Sequence, residues 1–453
     1  MPDSAPHHEA RNVTYPDALT LMTAPFLLAA LDDLTVIDLS HALAGPFAST
    51  MLADYGANVI KIEPPGSGDI ARGWGPPFYE TTQGEGRDRE GLRAEGNQVG
   101  LRAEGDRAGL REGSYFVGLH RNKKSVELDL KHPEGKALFF RLLERADVVL
   151  ENLRVGTVRK LGIDYTEVHA RHPHVIYCSI SGFGQDGPYR DRAALDLVVQ
   201  AESGMISVTG PVGGPGVRCG VSVADIGAGM FAAFGIMTAL HARQRTGRGQ
   251  FVDVSMLEGQ LSLLHGVIAA HLADGAVPAP MGTSYAALLP YQTFRTKSRD
   301  LALGIGSDKL WRILCPIVGL GSFAGDPRYA TNAARNANRS AVISALEEAF
   351  LTKTYEEWEA LLLPAGVPVG AINTIDQVVT HPQVQARCAL VECEHPVAGV
   401  AKVVGPPVKL SETPGAVRTP APLLGQHTDQ VLRERLGLSH EEIARLRHAG
   451  AIG

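Results

Sequence analysis

Cysteine is scarce in this sequence. The five residues Cys178, Cys219, Cys315, Cys388 and Cys393 are odd in number and contain no CxxC pair. That spacing excludes a disulfide framework or a zinc ribbon and points to reduced thiols in a cytoplasmic protein. A basic excess is missing too: 43 Lys and Arg stand against 49 Asp and Glu, for a formal net charge of −6. No nucleic-acid partner is expected, although a local basic pocket for phosphates stays open. Long apolar runs are absent. Leu19–Ala30 is too short to span a bilayer and runs into Asp32-Asp33, and Ile226–Leu240 is short and glycine-rich, so no membrane association is expected. The first twelve residues carry Asp3, His7, His8, Glu9 and Arg11 in place of a basic leader. Residues 1–30 therefore read as an N-terminal extension, mobile or a short packing helix, and not as a signal peptide. Familiar catalytic motifs are also lacking: no GxGxxG after a strand, no Walker loop, no HExxH and no GxSxG elbow. Sixteen histidines show no metal-ligand spacing, and His381, His395 and His427 read as structural loop residues.

What is present is regular. Hydrophobic residues make up 44% and charged residues 20%, enough for a substantial core. From Leu34 the pattern alternates. Leu34–Leu39 is a buried strand, Gly45-Pro46 opens a helix through Phe47–Tyr55, and Asn58–Glu63 is a second strand, which together make a βαβ unit. The helix Pro133–Ala146 precedes the strand Asp147–Glu151, and Glu167–His172 precedes His174–Ile180. This repetition predicts an α/β, Rossmann-like, doubly wound domain. A tandem nonapeptide, GLRAEGNQV then GLRAEGDRA, interrupts it; residues 81–113 are too polar to bury and read as a solvated insertion. Beyond Asp225 comes a long apolar helix to about Arg245, then the strand Phe251–Ser255 and the helix Leu257–Ala273. From 276 the strands Tyr291–Phe294 and Leu301–Ile305 look antiparallel, with helices Ser340–Phe350 and Tyr355–Leu363 behind them. The expected domains are 31–240 (large, with the insertion), 241–275 (a linker helix), 276–395 (small, α+β) and 396–453 (the return to the large domain).

Three features have chemical content. Gly66-Ser67-Gly68-Asp69 follows a strand and is either a phosphate cradle or an ordinary turn. Asp225 stands where an apolar run enters a long helix. It is either a plain N-cap or a carboxylate kept ionised by helix amides and free to attack a thioester, with Gly227 and Gly229 leaving room for an approach. Lys61, Arg72, Lys123, Lys124, Lys131, Arg159 and Lys160 fall near strand ends, where α/β sheets bind ligands and a polyphosphate needs cations.

Several long blocks, in order, carry a resemblance: VIDLSHALAGPFASTMLADYGANVIKIEPPGSGDIARGWGPPF (36–78), NKKSVELDLKHPEGK (122–136), DVVLENLRVGTVRKLGIDY (147–165), YCSISGFGQDGPYRDRAALDLVVQAESG (177–204), the Asp225 block, TGRGQFVDVSM (246–256), GVPVGAINT (366–374), HPQV (381–384) and PLLGQHTDQVL (422–432). The chain resembles the family III CoA-transferases, a group that also includes α-methylacyl-CoA racemase. The resemblance implies a Rossmann-type large domain built from both chain ends, a smaller domain, and an interlocked homodimer. It implies that acyl-CoA and free carboxylic acids are substrates, with no metal or prosthetic group bound permanently. Asp225 would be the covalent nucleophile, passing through an acyl-aspartyl anhydride and an enzyme–CoA thioester. For coenzyme A it implies Leu43 and Ala44, then Leu128, Asp129, Leu130 and Lys131, then Asn152, Leu153 and Arg154, with Lys160 and Arg192, Ala193, Ala194 and Leu195; His41 and Asp196 are further candidates. Formyl-CoA transferases carry Gln where Leu43 stands and a glycine lid where Met281–Leu289 stands, which argues against formate and oxalate. Racemases pair the aspartate with a His at the position of Leu195, and Leu cannot carry a proton, which favours transfer over racemisation. WGPPF, LPYQTFRTK (289–297), GVPVGAINT and PLLGQHT look most like the succinate/hydroxymethylglutarate type. They imply a dicarboxylic donor such as succinyl-CoA, with Arg218, Tyr285 or Arg295 for its distal carboxylate.

Overall fold

The computed structural model describes residues 29–80 and 111–453. The N-terminal extension before 29 and the body of the insertion lie outside them. By internal contacts the chain forms two units. The larger takes in residues up to 199, 222–263 and 382–453; the smaller takes 200–221 and 264–381.

The larger unit is built on a six-stranded parallel sheet. Its strands are β1 (Thr35–Asp38), β2 (Asn58–Glu63), β5 (Lys123–Glu127), β6 (Val148–Glu151), β7 (Ile176–Ser181) and β8 (Phe251–Ser255), in the order β5-β2-β1-β6-β7-β8. Side chains alternate between faces with period two. Ile37, Ile60, Val126 and Val149 point into one core with the helices Pro133–Leu143 and His440–His448. Val36, Val59, Val148 and Ile176 point into another with the helices Ala44–Asp54 and Val223–Thr246. Both faces are covered, as a doubly wound sheet requires. From β1 the chain winds one way to β2 and β5, and from β6 the other way to β7 and β8. The gap beyond the carboxyl ends of β1 and β6 is therefore the topological switch point, where such sheets bind ligands.

Some boundaries differ from the sequence reading. The helix Val223–Thr246 runs unbroken through residue 240. By length and composition it could cross a membrane, which the sequence reading did not foresee. Its apolarity has a local cause: Ala224, Ala228, Ala232 and Ile236 are wholly buried against the sheet. The helix expected over 257–273 is broken at Leu264 into Met256–Leu263 and His265–Asp274, and the units divide there. The end of the insertion is not solvated loop. Arg111–Gly113 (β4) pairs antiparallel with Phe78–Glu80 (β3), so the chain leaves and returns at Glu80↔Arg111.

The smaller unit has an antiparallel sheet of Tyr291–Phe294, Leu301–Gly304 and Val369–Ala371. Its core is Trp311, Phe350 and Trp358, and the Arg335 guanidinium is held inside by Asp308 and the carbonyls of Leu289 and Tyr329.

Charge is buried beneath the strand ends of the larger unit. Arg72 forks onto Glu63 with Nε–Oε2 at 2.8 Å and Nη2–Oε1 at 2.7 Å, reaches Glu112 at 3.0 Å and lies 3.8 Å from the centre of the Phe116 ring. Burial pushes the Glu63 carboxyl up, but the charge and hydrogen bonds of Arg72, with Lys61 and Ser125, outweigh it and hold Glu63 at about 2. Replacing Arg72 by Met leaves Glu112 without its cation and Glu63 with Lys61 alone. Removing one partner of a buried pair costs about 3–5 kcal/mol. Arg72→Met is expected to lower the urea midpoint by a corresponding amount at pH 7.5; an unchanged midpoint refutes this account of the network.

Candidate active site

A cavity of about 450 Å³ opens at the carboxyl ends of β1, β2 and β5. It is lined by Ser40 and His41 after β1, by Lys61–Pro64 and Ser67–Ile70, by Leu128, Asp129, Leu130 and Lys131 after β5, and by Leu153 and Leu161. His41, residues 128–131 and Leu153 were singled out from the sequence, and the fold brings them together here. The 128–131 segment is braced by the chain terminus: the Asp129 amide donates to the Ala451 carbonyl, and Leu128 pairs with Ile452.

The other sequence candidates lie elsewhere. Leu43 and Ala44 are buried at the first turn of the helix Ala44–Asp54, whose N-terminus has no side-chain cap. The Asn152 amide grips the backbone of His41. Arg154 is exposed and reaches the Asp191 carbonyl at 3.4 Å; Lys160 is exposed on the short helix Thr157–Leu161. Arg192 lies 4.2 Å from the Tyr189 ring centre, Ala193 is exposed, Ala194 packs on the core, and Leu195 is 75% exposed. Arg218, Tyr285 and Arg295 all belong to the smaller unit.

One open alternative is decided and one sequence reading needs correcting. The turn at residues 66–69 is not an open phosphate cradle. The Gly66 amide donates to Glu127, that of Gly68 to the Pro64 carbonyl and that of Asp69 to Glu63, so the protein's own acceptors fill it. Nor are Lys61, Arg72 and Lys123 free cations at strand ends. All three are buried, because their partners Asp69, Glu63 and Asp38 lie beneath the site.

Asp225 is not the N-cap of its helix. Ser222 holds that position, and the carboxylate of Asp196 accepts from the amides of Ala224 at 2.9 Å and Asp225 at 3.4 Å. Asp196 therefore fills the capping role, and the side chain of Asp225 is left without helix-end amides. The expected stabilisation of its charged form is reversed: burial, then the negative charge of Asp196, push the Asp225 carboxyl up to about 7. Gly229 also works differently from the sequence reading. A Cβ on Gly229 would lie 2.7 Å from the Ala44 carbonyl oxygen, so what approaches there is the helix Ala44–Asp54. This close packing sets the Leu43–Ala44 turn beside the start of the Asp225 helix.

Sequence reasoning missed Tyr115. It stands two residues beyond the repeat insertion, with no spacing signal of its own. Burial, then the charges of Asp225 and Asp196, push its phenol up to about 12, and its ring meets Trp74 edge-on at 5.3 Å. The phenol therefore remains a hydrogen-bond donor within the field of the candidate nucleophile.

A model of "CoA-transferase family III" matches residues 31–428. The chain belongs to CoA-transferase family III. It is 39% identical over 408 residues to a succinate–glutarate CoA-transferase of Agrobacterium fabrum, covering 89% of this chain and 95% of that one. It is 35% identical over 422 residues to the succinyl-CoA:glutarate CoA-transferase of Homo sapiens, covering 93% and 90%. Among solved structures it is similar to a CaiB/BaiF family protein from Brucella suis, at 34% identity and a TM-score of 0.74 over 90% of this chain and 99% of that one. The family III chain is a CoA-transferase, and the racemase reading is not favoured.

The raised carboxyl has a stability consequence. Its folded-state value lies above the unfolded one near 3.8, so the folded chain binds more protons between the two and loses stability as pH rises through that window. Asp225→Asn removes this cost. It is expected to raise Tm by roughly 1–3 °C at pH 8 and to leave it nearly unchanged at pH 4. A lowered Tm at pH 8 contradicts the desolvated environment.

Proposed function

We propose that this family III enzyme transfers coenzyme A from a dicarboxylic acyl-CoA, such as succinyl-CoA, to another carboxylic acid, with Asp225 as the nucleophile. The observation that carries the reading is Asp225 itself, a desolvated carboxyl at the start of the helix whose Gly229 packs on the Leu43–Ala44 turn. Relatives that take CoA from succinyl-CoA, the Homo sapiens glutarate enzyme and a D-citramalate CoA-transferase of Chloroflexus aurantiacus, support the donor class.

The steps balance without an outside reagent. The Asp225 carboxylate attacks the thioester carbonyl, the C–S bond breaks, and CoA leaves as thiolate. The mixed anhydride is then attacked by the thiolate at the aspartyl carbonyl, which releases the donor acid as carboxylate and leaves an enzyme–CoA thioester. The acceptor carboxylate attacks that thioester to form a second anhydride and free thiolate. The thiolate attacks the acceptor's acyl carbon, which gives the new acyl-CoA and restores Asp225. A poorly solvated carboxylate is a strong nucleophile once ionised. Tyr115 keeps its proton in the field of Asp225 and would donate to developing negative charge. Coenzyme A would lie along His41, Leu128–Lys131 and Leu153, with Arg154, Lys160 and Arg192 supplying cations outside the cavity.

The assembly that suits this chemistry is an interlocked homodimer in the cytoplasm. Met230, Phe234 and Met237 form one exposed stripe on the helix Val223–Thr246, with Phe234 72% exposed, and such a stripe calls for a partner surface.

Two measurements test the reading. Incubation with succinyl-CoA followed by hydroxylamine or borohydride is expected to leave a hydroxamate or reduced aspartate at Asp225, or a CoA-linked mass, in the wild type and none in Asp225→Ala. No modification by any of a panel of acyl-CoAs removes the covalent mechanism. The kcat/KM of the wild type is expected to rise with pH through about 7 as Asp225 ionises. Asp196→Asn retains a capping oxygen but loses the neighbouring charge, and its acid limb is expected roughly half a unit to one unit lower. An unmoved limb excludes Asp225 as the group that titrates.

A further inference from the structure

The segment Ser40–Ala42, at the switch point, is held by side chains from three places. Lys61 on β2 donates to the Ser40 carbonyl at 2.6 Å. Asn152, directly after β6, uses both ends of its amide on His41: Oδ1 accepts from the His41 N–H at 2.9 Å, and Nδ2 donates to the His41 carbonyl at 2.9 Å. Asp69 accepts from the Ala42 N–H at 3.0 Å, while its other oxygen lies 2.8 Å from the Lys61 ammonium. Ala42 sits at φ +66°, a left-handed conformation that an L residue other than glycine adopts only when its surroundings impose it. The next residues, Leu43 and Ala44, begin a helix with no capping side chain.

We propose that Asn152 is a positioning residue for CoA transfer. It holds the left-handed turn at Ala42 through His41, and so aims the backbone of Leu43 and Ala44 at the reacting thioester; it does not act by touching coenzyme A. The inference rests on the transferase reading and on Leu43–Ala44 lying against the cofactor. An asparagine amide offers two N–H donors and two acceptor lone pairs; one of each is spent on the backbone of a single residue, which fixes the orientation of the Asn152 amide on the protein. The geometry matters because β1 and β6 feed opposite halves of the sheet. The clasp ties the two halves together where the ligand site opens.

The test uses the full-length chain as wild type, Asn152→Ala, Ala42→Gly and the double variant. Hydrogen exchange on the ligand-free protein is read for the peptide containing His41 and Ala42. Single-turnover transfer is read at saturating acyl-CoA, and the Kd for free CoA by calorimetry. Asn152→Ala is expected to lose protection at His41 and Ala42 and to slow transfer by about 10- to 100-fold, with Kd changed less than about threefold. Adding Ala42→Gly is expected to recover at least about fivefold of the rate, because glycine reaches the turn without being held there. A direct contact with coenzyme A gives another pattern: Kd weakens as much as the rate falls, and glycine rescues nothing. That pattern overturns the proposal, as does unchanged exchange at His41. If Asn152→Ala does not fold, Asn152→Asp serves instead, since it still accepts from His41 N–H but cannot donate to the carbonyl; the same rate loss and the same glycine rescue are expected. If the wild type transfers no CoA, the function reading fails, while the exchange experiment still decides the clasp.

Discussion

Lys61 is the point on which the site depends. Its ammonium is removed from water, and that desolvation opposes its charge, yet Asp69, Asp38 and Glu63 together hold it protonated. From there the interactions branch. One hydrogen bond fixes the Ser40 carbonyl above it, and the ion pair to Asp69 orients the carboxylate that holds Ala42 and starts the short helix Ile70–Gly73. Arg72 in that helix then forks onto Glu63, and Lys123 lies under Asp38, its own value lowered to about 8 by burial. Breaking up such a group is costly because each ion's desolvation is offset only by its neighbours. The return is rigidity: these strand-end loops are held by charge as well as by backbone ladders.

The candidate nucleophile follows a different logic. Around Lys61, the buried cations Lys61, Arg72 and Lys123 each meet a carboxylate. At the start of the long helix, Asp225 has a like charge beside it and no cap of its own, because Asp196 takes the helix amides. A carboxyl held near the pH of the cell costs the folded state stability and gains nucleophilic strength in the same step. The two regions meet where Gly229 admits the Ala44 carbonyl, so the rigid loops and the reactive helix are set against each other by a contact that any larger residue would block.

Much of this was legible in the sequence. Buried β-branched runs such as Val36-Ile37 and Val148-Val149 give the strands, and the alternation with helices gives the parallel sheet. Asp225 stood out, as did the segments at His41 and Leu128–Lys131, because they occur in long ordered blocks. What was misread depended on partners distant in the chain. Asp225 looked like a cap because its competitor is 29 residues away. The turn at 66–69 stayed open between a phosphate nest and an ordinary turn because the carboxylate that takes its Gly66 amide lies 61 residues on. Lys61 and Arg72 looked free because the sequence does not place their counter-ions.

The sequence by itself determined the family and the α/β alternation and singled out Asp225 as the candidate nucleophile, since these follow from local pattern and ordered motifs. Only the tertiary structure decided what each polar group does. It made Asp196 the cap, raised the Asp225 carboxyl, put Tyr115 in its field and turned the Asn152 amide onto His41. Those outcomes depend on burial and on which groups meet across the sheet, and an isolated stretch of chain has neither.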